Sequence, residues 1–301
     1  MSTPSVPIQR RPAWLRKKID LASCETTRRV LRAHGVATVC REAQCPNIAE
    51  CFAKRHATFL ILGRHCTRRC RFCGVDKTAA PQPPDPGEPR RVARAAAELG
   101  LRHVVITSVT RDDLPDGGAG HFAAAVRAAK EACPDARVEL LIPDMNGRQA
   151  SLETVCASGP HIVGHNLETV PRLYSLRPGA DYDRSLFVLR RCKKISPDIR
   201  TKSALMLGLG EKKEEVLTAL DDLRGAGCDY LALGQYLQPS SSHEPVQAHI
   251  TPQEFDAYRR AAEERGFLHA ECGPYVRSSY MAESYAEPIE KSSEPGERKQ
   301  G

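Results

Sequence analysis

Two clusters of cysteine stand close together. "CREAQCPNIAEC" places Cys40, Cys45 and Cys51 within residues 40–51, and "CTRRCRFC" places Cys66, Cys70 and Cys73 within residues 66–73. Cysteine binds metal as the thiolate, and thiolates are the usual donors to iron–sulfur clusters and to structural zinc. Such sites usually take four ligands, and each group supplies three. The C-x3-C-x2-C spacing of the second group lets its sulfurs converge from one loop on a single cube of iron and sulfide. Three ligands on four irons leave one iron open, as a catalytic centre requires, whereas a structural site is normally closed. A zinc site completed by His65 or a distant residue is the alternative. Zinc sites, however, favour paired C-x2-C groups.

The rest of the composition fits a soluble globular protein. The 301 residues are 41% hydrophobic and 27% charged, ordinary for a globular chain that can bury a large core. No apolar run approaches the ~18–20 residues of a membrane helix. The start, "MSTPSVPIQRRPAWLRKK", has no apolar core or cleavage site of a secretory signal, so the expected location is cytoplasmic. Six of the twelve cysteines crowd into residues 40–73, which favours ligation in a reducing compartment over disulfides. The net charge of +7 is spread along the chain, without a base-stacking aromatic stripe, so no nucleic-acid partner is expected and an acidic protein partner suits it as well.

The elements that must position these thiols follow a repeating pattern. Short apolar runs at 58–63, 103–109, 137–143, 161–166, 201–209 and 230–237 read as strands. Ala-rich or amphipathic stretches at 90–99, 119–132, 183–195 and 211–225 read as the helices between them, with a further helix near 24–34. Strand-then-helix alternation predicts an α/β fold with a parallel sheet and right-handed crossovers. About six units fit a partial (β/α)6 TIM-like barrel with N-terminal and C-terminal extensions; a doubly wound open sheet is the competitor. The expected organisation is an extension over 1–57 carrying the first trio, a barrel over 58–272, and a C-terminal segment over 273–301 whose end, from Glu283, is charged and expected to be disordered. "AAPQPPDPGEP" (79–89) reads as a loop. In either architecture chemistry gathers at the carboxyl ends of the strands, and the second trio directly follows the first one.

The second trio, with Phe72 before its last cysteine, resembles the C-x3-C-x-Φ-C hallmark of the radical S-adenosylmethionine (SAM) superfamily. The C-x4-C-x5-C spacing of the first trio, with "CPN" at 45–47, narrows the resemblance to the lipoyl synthase family. Further stretches agree in order along residues 12 to 282: "PAWLRKK" (12–18), "ATFLILG" (57–63), "TSVTRDDLPDGGA" (107–119), "HNLETVPRLY" (165–174), "LMLGLGE" (205–211), "GQYLQPS" (234–240) and "GPYVRSSY" (273–280).

The resemblance implies two [4Fe–4S] clusters. The one on Cys66, Cys70 and Cys73 binds SAM at its open iron and yields a 5′-deoxyadenosyl radical. The auxiliary one on Cys40, Cys45 and Cys51 takes its fourth ligand from the second serine of the R-S-S-Y motif, here Ser279; Arg277 either steers that serine or pairs with a carboxylate. A serine oxygen is an unusual, hard ligand for such a cluster, which makes sense if that iron must later be released. The implied reaction inserts sulfur at C6 and C8 of an octanoyl chain on a lysine of a lipoyl carrier domain, with the auxiliary cluster consumed as donor. A flavodoxin- or ferredoxin-type electron donor and iron–sulfur assembly or repair proteins are the implied partners, and no membrane is.

Other residues carry two readings each. Ser108 and the following "RDD" either contact the methionine end of SAM or, through Asp112 and Asp113, cap a loop. Asn166 and Glu168 are candidates for the SAM ribose. "GLGE" (208–211) is an adenosine-side turn or a helix start; Gln235 is expected to line a substrate channel, and Tyr236 to line it or only to pack the barrel mouth. Cys272 stands where the family usually has serine, either competing for the auxiliary iron or buried as a small hydrophobe. Cys133, Cys156, Cys192 and Cys228 read as packing residues. The rivals are another radical SAM sulfur-transfer enzyme, of the biotin synthase or methylthiotransferase kind, which would lack the 40–51 trio paired with "RSSY", and a colourless zinc-stabilised nucleic-acid-binding protein.

Overall fold

The computed structural model describes residues 12–15 and 24–286. Beyond a 3-10 turn at Ala13–Leu15 the chain runs α1 (Glu25–Ala33), β1 (Ala37–Thr38), α2 (Val39–Glu42), α3 (Ile48–Ala53), β2 (Thr58–Ile61), α4 (Glu88–Leu99), β3 (His103–Ser108), α5 (Ala119–Ala132), β4 (Arg137–Leu141), α6 (Gln149–Ala157), β5 (Ile162–Gly164), α7 (Tyr182–Ile195), β6 (Arg200–Leu207), α8 (Lys213–Gly225), β7 (Tyr230–Gln235), α9 (Pro252–Glu264) and β8 (His269–Gly273). The sheet keeps sequence order from β1 to β8; β1 pairs antiparallel with β2, and every later pair is parallel. Among the described residues no ladder joins β8 back to β1 or β2, so this is a partial β/α barrel with an open seam.

The six expected strands are all present, and β1 and β8 flank them. Both are hard to read locally: β1 has two residues, and β8, His269–Gly273, is mostly half-buried with no apolar run. The expected helices appear, α5 at its expected bounds and the others with ends shifted by one or two residues, and their boundaries have ordinary causes. Gly100 closes α4 at φ 68°, a left-handed conformation that glycine adopts without strain. Thr251 and Glu254 form a capping box at the start of α9 with Pro252 at the first turn.

Side chains sort cleanly between the two faces of the sheet. Val104, Ile106, Val138, Leu140 and Val163 pack outward in one core with α4, α5 and α6. Leu205, Leu207, Leu231 and Leu233 pack outward in a second core with α8 and α9. The alternate positions turn inward, as the two-residue period of a strand requires. The inward set is mixed: His103, Glu139 and Lys202 are polar, Ala204 and Ala232 small, and Val105, Ile162 and Tyr230 large. The 3-10 helix Ala282–Ala286 follows the R-S-S-Y motif and buries Tyr285 against Ile162 and Tyr230. Residues 283–286 are therefore placed by burial of an aromatic ring; the remainder of the expected tail, and residues 1–11, lie outside the described residues. Among the described residues no helix is long and apolar enough to cross a membrane.

Candidate active site

The first trio stands before the sheet begins. Cys40 lies in α2, Cys45 in the following turn and Cys51 in α3. All three line one pocket, together with Thr58, His103, Arg277 and Ser279. Three hydrogen bonds draw the R-S-S-Y segment onto this region. Asn47 Nδ2 donates to the Tyr275 carbonyl at 2.6 Å, Thr58 Oγ1 donates to Ser279 Oγ at 2.7 Å, and Tyr280 Oη donates to Glu50 Oε1 at 3.1 Å. The segment after the last strand thus meets the segment before β2, across the open seam. Gly234 permits the approach: a Cβ there would lie 2.0 Å from the Val276 carbonyl oxygen. Arg277 is half-buried in the same wall, donating to the Val276 carbonyl at 2.6 Å, and burial lowers its pKa.

The second trio occupies the loop after β2, and its pocket also contains Ser108, Asn166 and Glu168. Ser108, Asn166 and Glu168 therefore meet the second trio at one opening, at the carboxyl ends of β2, β3 and β5. Asn166 Nδ2 donates to Glu168 Oε1 at 3.0 Å, and burial raises the Glu168 carboxyl above its usual range. Ser278 Oγ donates to Asn166 Oδ1 at 3.0 Å, so the R-S-S-Y motif touches both pockets.

The loop is clamped by Arg68, which the sequence reading did not single out. Its guanidinium donates to Asp112 at 2.8 and 3.0 Å, to Asp144 at 2.7 and 2.8 Å, and to Asn146 at 3.0 Å. Burial opposes ionisation of Asp144, yet the Arg68 contacts hold its carboxyl well below the ordinary value. Asp112 serves this clamp. Asp113 pairs instead with buried Arg111, which also donates to the Leu62 carbonyl at 3.0 Å. Arg177 donates to the carbonyls of Asn166 and Leu167 at 3.2 and 2.8 Å. Only the "RDD" flag in the sequence hinted at this network, since its partners lie on other strands' loops.

The remaining strand-end and cysteine candidates resolve toward structure. Gln235 is fully buried; its Nε2 donates to the carbonyls of Leu207, Tyr236 and Ala248, and its Oε1 accepts from Ile250 N at 2.8 Å. Its amide fastens a loop and does not face a channel. Gly208, at φ 100°, lies where a Cβ would stand 2.3 Å from Gln235 Nε2, and Glu211 accepts from the Gly208 and Leu209 N–H groups. "GLGE" is thus a tight turn closed by its own carboxylate. Tyr236 packs with Phe72, Leu176 and Leu209. Cys272 turns outward into the core beneath α8 and α9, and burial pushes its thiol up to about 12. Cys133, Cys156, Cys192 and Cys228 are buried, as packing residues should be.

The donor chemistry fits iron–sulfur clusters. Burial pushes the Cys40 and Cys73 thiols up to about 11 and also raises Cys70, so bare thiolates are costly in these pockets and a bound cation would replace the protons. Buried Ser108 Oγ and His165 Nε2, both at the second pocket, have no hydrogen-bond partner within the protein, as expected of groups awaiting a polar ligand. Among the described residues, no three His, Cys, Asp or Glu side chains are grouped to hold a single metal ion; each trio is spread around a pocket.

The sequence profile of the Radical SAM superfamily matches residues 60–234. A lipoyl synthase from Geobacter metallireducens is 59% identical over 278 residues, covering 92% of this chain and 98% of the relative. The chain belongs to the lipoyl synthase family. A more distant lipoyl synthase, from Chlorobium limicola, is 47% identical over 279 residues, covering 92% of this chain and 95% of the relative. Among solved structures, methylornithine synthase superposes with a TM-score of 0.55 at 15% identity, covering 81% of this chain and 68% of that one. The hydrogenase maturase HydG gives 0.55 at 14% identity, covering 82% and 72%. These two likenesses show the fold. Membership makes the chain a radical SAM enzyme, which takes a [4Fe–4S] cluster and SAM.

Proposed function

We propose that this enzyme inserts sulfur at C6 and C8 of an octanoyl chain carried on a lysine of a lipoyl carrier domain. The observation that carries this reading is the convergence of Cys40, Cys45, Cys51 and Ser279 on one pocket, beside a second pocket holding Cys66, Cys70 and Cys73. The three-part organisation, residues 1–57, 58–272 and 273–301, goes with it. When bound, SAM on one cluster supplies a radical that takes hydrogen from unactivated carbon, and the auxiliary cluster supplies sulfide.

The protein's own residues orient and release. Cys66, Cys70 and Cys73 would hold the SAM-binding cluster, while the buried hydroxyl of Ser108 would serve the methionine end of SAM. Asn166 and Glu168 would serve its ribose. Ser279 would hold the fourth iron of an auxiliary cluster through oxygen, a weaker grip than sulfur that would permit release. Arg277 steers that serine. A flavodoxin- or ferredoxin-type protein delivers electrons, and cluster assembly or repair proteins restore the consumed sulfide.

Substitution separates the two sites. Cys66→Ala should abolish SAM cleavage while iron remains at the first trio. Ser279→Cys should allow both clusters to assemble yet impair sulfur insertion, because thiolate holds iron more tightly. Full activity of Ser279→Cys would exclude ligand release as a necessary step.

A further inference from the structure

The floor of the barrel carries a buried charged chain that the proposed chemistry does not use. His103 lines the pocket of the first trio, and its Nε2 lies 2.9 Å from Glu139 Oε2. Lys202 Nζ donates to Glu139 Oε1 at 3.0 Å, and the side chains of Lys202 and Glu139 are 0% and 1% exposed. The Lys202 ammonium lies 3.5 Å from the centroid of the Tyr285 ring. A cation on an aromatic face is attracted by the ring quadrupole, more strongly when both are shielded from water. Tyr285 is 2% exposed, meets the His269 ring edge-on at 4.7 Å, and its hydroxyl reaches the Leu231 carbonyl at 3.3 Å.

Tyr285 follows Ser279 by only six positions. The intervening chain is wound tight: Tyr280 N donates to the Arg277 carbonyl at 2.9 Å and Ser284 N to the Met281 carbonyl at 2.8 Å, with Met281 in the left-handed region at φ 50°. The path therefore closes on itself. It runs from the pocket wall at His103 through Glu139 and Lys202 to Tyr285, and back along the backbone to Ser279 at the same pocket.

We infer that Tyr285 is a positioning residue for Ser279: its ring, seated on the buried Lys202, anchors the short segment that presents the serine hydroxyl to the first trio. This rests on the reading that Ser279 is the fourth ligand. The anchor explains how a ligand that lets go stays at its site. Ser279 can release iron while the segment on both sides of it remains fixed, by Asn47 at Tyr275 upstream and by Glu50 at Tyr280 and Lys202 at Tyr285 downstream.

The test compares the anaerobically loaded full chain with Tyr285→Phe, Tyr285→Leu and Ser279→Ala. Iron release to a ferrous chelator is followed over time, and Mössbauer spectra report the iron sites. Tyr285→Phe keeps the ring and should match the parent. Tyr285→Leu stays apolar but removes the ring, and should release one cluster's iron roughly tenfold faster, the other cluster unchanged. Parent-like release from Tyr285→Leu overturns the inference, and so does loss of both clusters together, which would make Tyr285 a residue of general stability. Ser279→Ala keeps the two readings apart. If it leaves release and spectrum unchanged, the serine-ligand reading itself fails; if it changes both while Tyr285→Leu does not, only the anchor fails.

Discussion

Thr58 donates a 2.7 Å hydrogen bond to Ser279, joining the first residue of β2 to a residue 221 positions later. The bond leaves the serine's own O–H free and fixes the direction of its oxygen lone pairs. Thr58→Val keeps the shape and removes the donor. It should cost about 1 kcal/mol in thermal stability, and iron at the first trio should exchange faster. Unchanged iron retention would show that the threonine does not orient the serine.

Arg68 ties the second trio's loop to the loops after β3 and β4. Arg68→Ala leaves Asp144, whose side chain is 0% exposed, with Arg184 as its remaining ion-pair partner. A loss of about 3 kcal/mol is expected, with reduced iron at Cys66, Cys70 and Cys73. Asp112→Asn should cost less than about 1 kcal/mol, because Asp112 is 32% exposed and its pairing is screened by solvent. Equal costs for the two variants, measured by thermal unfolding, would contradict the clamp.

Cys272 packs outward from β8 into the core beneath α8 and α9, away from the first trio's pocket. Cys272→Ala should leave iron and sulfide per chain unchanged and cost about 1 kcal/mol of stability. A fall in iron content would mean that this thiol competes as a ligand.

Much of this arrangement was readable from local pattern, and the exceptions share a cause. The six inner strands announce themselves as short runs rich in apolar residues, continuous in "TFLI" of β2 and interrupted by inward polar groups in β4 and β6. The cysteine spacings are local and chemically specific. What local pattern could not reveal is which distant groups a polar side chain meets. Gln235 looked like a channel residue, yet it is consumed by the loop 236–250. Lys202 sits inside a strand and reads as a solvent-facing charge until its partners Glu139 and Tyr285 are placed beside it. Arg68 lies in the middle of the cysteine motif, but its partners come 44 and 76 residues later.

His165 donates through Nδ1 to the Ile142 carbonyl at 2.9 Å, and burial, reinforced by Arg177, pushes its imidazole down to about 4. An unfolded histidine titrates near about 6.5, so the folded state refuses a proton that the unfolded state accepts. Its contribution is fully present above that value and is lost as pH falls toward about 4, amounting to at most about 3 kcal/mol. His165→Asn retains a donor and does not titrate. Urea midpoints of the reduced chain should fall less steeply on acidification for the variant than for the parent; parallel curves would contradict a buried neutral imidazole.

The proposed fate of the auxiliary sulfide is tested most directly by isotope. The chain is loaded anaerobically with clusters made from 34S-sulfide, freed of excess sulfide, and given SAM, reductant and an octanoylated carrier domain containing natural sulfur only. The account predicts a lipoyl product carrying 34S at both positions, and none from Cys45→Ala. Product sulfur of natural abundance, or a parent chain that binds only one cluster's worth of iron, would contradict it.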